Sequence, residues 1–280
     1  WEESIELSER ARALDARNPE IMARYKETLA AVRRYEEAER TLDQSLVLMP
    51  SDVGLRIEKI FLVLEGVGDV ARARQLFDVS PDAFGPAAQA RLSGQISLYE
   101  RDYEGGIAAL EGKPVDPDGT RDTPALLALL SHWAGRAPET RVWADSLKRV
   151  TDREIAELEA GVDPFVQRAE SYAFRGIAHA LSGRPSEALR DGRRALELLP
   201  LSRDAVDAPV IHQRVAIAFL LAGDRDGAFR ILNRLATVPG PLSSASLRLD
   251  PAFDSIRGDP RYAPLLRSLQ EAERSGTGTL

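Results

Sequence analysis

The sequence predicts an all-α chain, a solenoid of helical hairpins closed by a C-terminal helical cap. Three observations carry this. Small residues recur at Ser4, Ala38, Ala73, Gly106, Thr140, Ala188 and Ala228, spaced by 34, 35, 33, 34, 48 and 40 residues. A period near 34 fits one helix–turn–helix unit per repeat. Turn signals fall inside the units, at Gly68-Asp69, Arg101-Asp102, Gly135-Arg136, Gly183-Arg184 and Gly223-Asp224. The alternating Val, Ile and Thr runs that mark strands are lacking.

Taken in order, residues 1–18 read as the second helix of a truncated unit, with Ile5, Leu7, Ala11 and Leu14 as an apolar face wanting a neighbour. The first helix of that unit is expected before residue 1. Asn18-Pro19 opens the next unit, 19–52. Met22, Tyr25 and Leu29 mark the inner face of its first helix. Tyr35, Ala38 and Leu42 mark its second, which Pro50 stops. Five further units follow at 53–82, 83–120, 121–163, 164–203 and 204–238. The small positions let the two helices of a unit approach closely while larger apolar residues fill the gaps. Glycine in the turns suits a left-handed residue past the helix end, and Asp, Ser or Thr nearby caps the next helix. Pro185 sits where a helix starts and its missing N–H costs little.

Two intervals are long. Between Thr140 and Ala188, LKRVTDREIAELEAGVDP extends or repeats the second helix until Pro164 breaks it. Between Ala188 and Ala228, LSRDAVDAP fits a longer connection. Lys113–Pro124, rich in Pro, Gly and Asp, reads as a surface loop. In the capping segment, 239–274, Asp250-Pro251 and Asp259-Pro260 each look like a cap residue followed by Pro at the first helical position. Phe253, Ile256, Tyr262, Leu265, Leu266 and Leu269 would cover the exposed face of the last unit. Residues 275–280 form a disordered tail. Such a stack folds by roughly additive nearest-neighbour terms.

The unit around Ala188 carries Tyr172, Gly176, His179, Gly183, Ala188, Ala195 and Pro200 where one family prefers such residues. On these residues and the spacing, the chain resembles the tetratricopeptide-repeat proteins over about residues 1–238. The stretch LRLDPAFDSIRGDPRYAPLL resembles a tail found after such arrays in bacterial signalling and transcriptional regulators. There the arrays follow a kinase, a cyclase or a winged-helix domain, or stand alone. The resemblance implies a right-handed superhelix whose first helices line a concave groove that docks a peptide or partner protein. Its groove positions map onto Glu27, Glu58, Arg91, Gln95 and Gln213. Tyr99, His132 and Trp133 lie further along the same helices. Arrays that clamp chaperone C-termini carry Lys and Asn at these positions, and this chain has neither. Two alternatives stay open: a non-catalytic region of an enzyme whose kinase or cyclase domain lies upstream, and self-assembly through solenoid ends.

Chemistry is mostly excluded. The chain has no cysteine, which removes disulfides, thiolate nucleophiles and zinc ribbons. Its three histidines are far apart, with no HExxH pair, so no metal or cofactor is expected. Phosphate loops, GxGxxG and GxSxG are absent. No catalytic residue can be picked, and the chain reads as a binding module rather than an enzyme. A net charge of −7 gives no nucleic-acid footprint. No apolar run is long enough to span a membrane. A cysteine-free chain suits the cytoplasm, the favoured reading, and equally a periplasm if a span lies upstream.

Overall fold

The structure is a computed structural model of the 280-residue chain and describes residues 1–15, 17–111, 121–159, 161 and 165–276. The described residues are helical, without strands. After α1 (Glu2–Leu14) come six helix pairs: α2 (Pro19–Ala31) with α3 (Tyr35–Leu48), α4 (Val53–Phe61) with α5 (Val70–Asp78), α6 (Pro86–Glu100) with α7 (Tyr103–Leu110), α8 (Asp122–Trp133) with α9 (Ala137–Glu159), α10 (Phe165–Leu181) with α11 (Pro185–Leu198), and α12 (Asp207–Leu221) with α13 (Arg225–Ala236). Each pair lies within one of the six intervals drawn above. Neighbouring helices pack in chain order, and α6, α8, α10 and α12 also pack on one another as a layer. No described helix is long and apolar enough to cross a membrane.

The small positions do the work expected of them. Ala38, Ala73, Ala188 and Ala228 are fully buried, and Gly106 and Thr140 are buried too. A larger side chain at any of these six would hold the paired helices apart. Ser4 differs: it is exposed and reaches only the Thr28 hydroxyl, 3.4 Å away. The α1 face also splits. Ile5 packs on Tyr25, Leu29 and Ala38, whereas Leu7 and Leu14 are exposed.

The six hairpin turns share one backbone solution. Arg33, Gly68, Arg101, Gly135, Gly183 and Gly223 all have positive φ, between 63° and 87°. The following N–H returns to a carbonyl five residues back: Arg34 to Leu29, Asp102 to Ser97, Arg136 to Ser131, Arg184 to His179 and Asp224 to Phe219, at 2.8–2.9 Å. This bond closes the carbonyl end of each first helix. In the second hairpin Asp69 reaches six back, to Val63 (3.0 Å), because α4 continues as a π-helical turn, Leu62–Val67, holding one extra residue. Asp69, Asp102 and Asp224 then cap the next helices by accepting from the N–H three residues on.

The long interval after Thr140 is one continuous 23-residue helix, α9, so the second helix is extended rather than repeated. Of the loop expected at Lys113–Pro124, Asp122–Pro124 already belong to α8, and 112–120 lie outside the described residues, as does Pro164.

The C-terminal segment corrects the sequence reading most. Asp250 caps as expected, accepting from Ala252 N–H, but Pro251–Ile256 form a 3₁₀ turn rather than an α-helix. This turn sits between α14 (Ser244–Leu249) and α15 (Tyr262–Ser275). Phe253, Ile256, Leu265 and Leu269 are buried in the core with Phe229 and Leu232 of α13, the lid role expected. The same segment also crosses to the first three hairpins and touches each left-handed turn residue in order. Arg33 donates to the carbonyls of Leu235, Val238 and Leu242, all at 3.0 Å. Gly68 lies so close to Ala245 that an added Cβ would stand 2.7 Å from that methyl. Arg101 makes a two-pronged ion pair with Asp254, at 2.6 and 2.9 Å. Gly240 N–H adds a 2.8 Å bond to Ala31 carbonyl, and Ser243 hydroxyl bonds to Glu65 carbonyl. The two ends of the helix stack are therefore joined, so contacts are not confined to neighbouring pairs. Of the tail expected to be disordered, Ser275 ends α15 and Gly276 follows it in left-handed conformation; 277–280 lie outside the described residues.

Candidate binding site

The eight groove candidates fall into separate places. Glu27 and Glu58 come together on a cleft of about 620 Å³, where Lys26 links them: its ammonium is 2.7 Å from Glu58 and 4.0 Å from Glu27. The cleft walls are apolar, built from Leu42, Phe61 and Leu62 on one side and Val206, Val210 and Pro241 on the other. Residues some 150 positions apart in sequence thus face one another because the C-terminal segment ties α12 to the first hairpins. The volume is in the range of a small ligand or a few peptide side chains.

Tyr99 is buried next to the cleft rather than in it. Its hydroxyl bonds to the Glu65 carboxylate on the π-helical turn. Burial pushes the Glu65 pKa up to about 7, and the nearby Asp250 carboxyl adds to the rise, while Arg214 opposes it. Burial also raises Asp250, to about 6, against the bond it accepts from Ala252 N–H. Two carboxyl groups thus share a poorly hydrated seam between the π-helical turn and the C-terminal segment.

Arg91 is held by Asp122 at 3.2 Å, and Gln95 lies half-buried on the same helix. Gln213 is half-buried, and its amide oxygen has no hydrogen-bond partner among the described residues. His132 and Trp133 lie elsewhere. His132 is exposed at a hairpin edge near Gly135 and Gly183, lining a small pocket of about 270 Å³. The Trp133 ring packs toward Tyr103, 6.3 Å between centroids, and takes the His132 ring edge-on at 5.9 Å. It fills space between helices α7 and α8.

Sequence reasoning missed a polar ladder on the first-helix layer. Glu170 of α10 accepts from both Arg121 and Arg214, the latter at 2.6 Å. The two guanidiniums stack on the Phe174 ring, at 5.3 and 4.7 Å. Arg121 also holds Glu154, which accepts from Ser171 hydroxyl. Glu170 could be found as a groove position, but nothing in the sequence pairs it with Arg121, 49 residues away.

No protein-family model matches the chain. A search of curated proteins returns no match either. The site is therefore read from its own geometry. Among the described residues no group of three His, Asp or Glu side chains is placed to hold a metal. The arrangement offers a preformed, mainly apolar recess with paired charges at its mouth, which suits recognition of a side chain.

Proposed function

We propose that the chain is a docking module of the tetratricopeptide type, part of a larger bacterial signalling or regulatory protein, and not itself an enzyme. In this reading the helix pairs form a right-handed superhelix, and a partner peptide inserts apolar side chains into the cleft between α4 and α12. The observation that carries it is the convergence of Glu27, Glu58, Leu62 and Val210, all on first helices of their units, around one apolar recess. The 33–35-residue spacing and the shared hairpin turn support the family reading. Affinity in the micromolar range, about −8 kcal/mol, is the scale for such a recess.

The test uses Val206, which is 65% exposed on the cleft wall, so its replacement leaves the core intact. Peptides selected from a random display library on the wild-type chain should lose binding to Val206→Arg, with the helical circular dichroism unchanged. Peptides that bind both proteins equally would place docking elsewhere.

A further inference from the structure

On another part of the molecule, α11 and α13 frame a second cleft of about 490 Å³ beside the Leu199–Ser202 turn. Three arginines line it: Arg193 from α11, and Arg230 and Arg234 one turn apart on α13. No carboxylate lines it. Among the described residues none of these three guanidiniums makes a hydrogen bond or ion pair. They stay unpaired although the chain has 44 acidic against 37 basic side chains. Arg72, Arg74, Arg91, Arg101, Arg136 and Arg261 each hold a carboxylate. Glu197, the acid one turn along from Arg193, is engaged by Arg194. Like charges one helical turn apart repel, so Arg230 and Arg234 destabilise the unliganded chain slightly.

The rest of the lining says what else the ligand carries. Leu196, Leu201 and Ile231 give an apolar wall, and Ser202 adds a hydroxyl. Buried His212 lies on the floor, its Nε2 2.9 Å from Leu199 carbonyl. Guanidinium forks match the oxygens of a phosphate and hold it by paired charge-assisted bonds. Three of them over-supply charge for one carboxylate and suit a dianion. The adjoining apolar wall suits an organic group attached to it.

We infer that this cleft is a binding site for an organic phosphate monoester, with the phosphate among Arg193, Arg230 and Arg234 and the organic group on Leu196, Leu201 and Ile231. The same chemistry is offered by a free small molecule and by a phosphorylated tyrosine of a protein. The inference is independent of the docking cleft.

The experiment titrates the whole chain with phenyl phosphate, with inorganic phosphate and phenol as controls, by calorimetry and by the NMR shifts of the His212 ring. Phenyl phosphate should bind at least about tenfold more tightly than either control, the scale of one charge-assisted contact or one apolar contact. Binding should weaken with added salt and shift the His212 signals. The double variant Arg230→Gln/Arg234→Gln removes two exposed, unpaired side chains, so it keeps the fold. It should lower affinity by at least about tenfold. Val206→Arg should leave phenyl phosphate binding unchanged. Equal binding of phenyl phosphate and inorganic phosphate, or full binding by the double variant, would overturn the site. A phosphotyrosine peptide that binds more tightly than phenyl phosphate assigns the site to a protein partner. One that binds no more tightly assigns it to a free phosphate ester.

Discussion

Arg33 and Arg101 stand at positions that glycine holds in the other four hairpins. Left-handed backbone costs a non-glycine residue about 1 kcal/mol. Both arginines offset this with bonds to the C-terminal end of the chain: Arg33 through the carbonyls of Leu235, Val238 and Leu242, Arg101 through Asp254. Burial lowers the Arg33 pKa, so its charge is held in place by those carbonyls and not by water. The glycines differ among themselves. Around Gly183 an added Cβ meets open space, whereas at Gly68 it would press on Ala245. Gly183→Ala should therefore cost about 1 kcal/mol, the backbone term alone. Gly68→Ala should cost about 2–3 kcal/mol, because the clash adds to it. Urea unfolding of the two variants measures the difference, and equal costs would mean that the contact at Gly68 relaxes freely.

At the scale of elements, the π-helical turn and the C-terminal segment meet over the Glu65 and Asp250 carboxyls. The native chain keeps the Glu65 proton up to about pH 7, while the unfolded chain loses it near 4.5. Asp250 behaves alike between 3.8 and about 6. The native state binds more protons across these windows, so this seam loses stability as pH rises through them. His179 and His212 act oppositely: burial lowers their pKa values, and their contribution rises with pH until about 6.5. Comparing wild type with Glu65→Gln cancels the histidines. The variant keeps the side-chain shape, and its urea midpoint should exceed that of wild type increasingly from pH 5 to pH 8. Parallel profiles would show that Glu65 does not titrate in the seam.

The helix pairs themselves were legible before the structure, because 3.6-residue periodicity, turn residues and small contact positions are local signals. Asp250 was legible as a cap, since capping involves only the next few residues. Its neighbour Glu65 was not, because the 184 intervening residues carry no pattern that links them. The same holds for the candidate site. Glu27 and Glu58 were found by their register on first helices, whereas His132 and Trp133, read only as lying further along such a helix, stand at a hairpin edge and between helices. Register gives the face of a helix but not what the rest of the chain lays across it.

For the whole molecule, the joined ends change how stability is distributed. In an open stack a substitution in one hairpin is felt by its neighbours only. Here Arg33 bonds to residues more than 200 positions away. Arg33→Ala should cost about 2–4 kcal/mol through the carbonyls left without their donor. It should also speed amide hydrogen exchange in α12 and α13, at the far end of the sequence, as well as in α2 and α3. Faster exchange confined to α1–α5 would mean that the ends are independent.

The sequence by itself determined the all-helical class, the approximate bounds of the six pairs and the residues at their close contacts, because each depends on interactions within about 34 residues. Only the tertiary structure decided that residues 239–275 close the stack by binding its first three turns, and that Glu27, Glu58 and Val210 border one cleft. It also decided that Arg193, Arg230 and Arg234 share another cleft without a counter-charge. These outcomes depend on which distant helices the folded chain brings side by side, and no single helix pair specifies that.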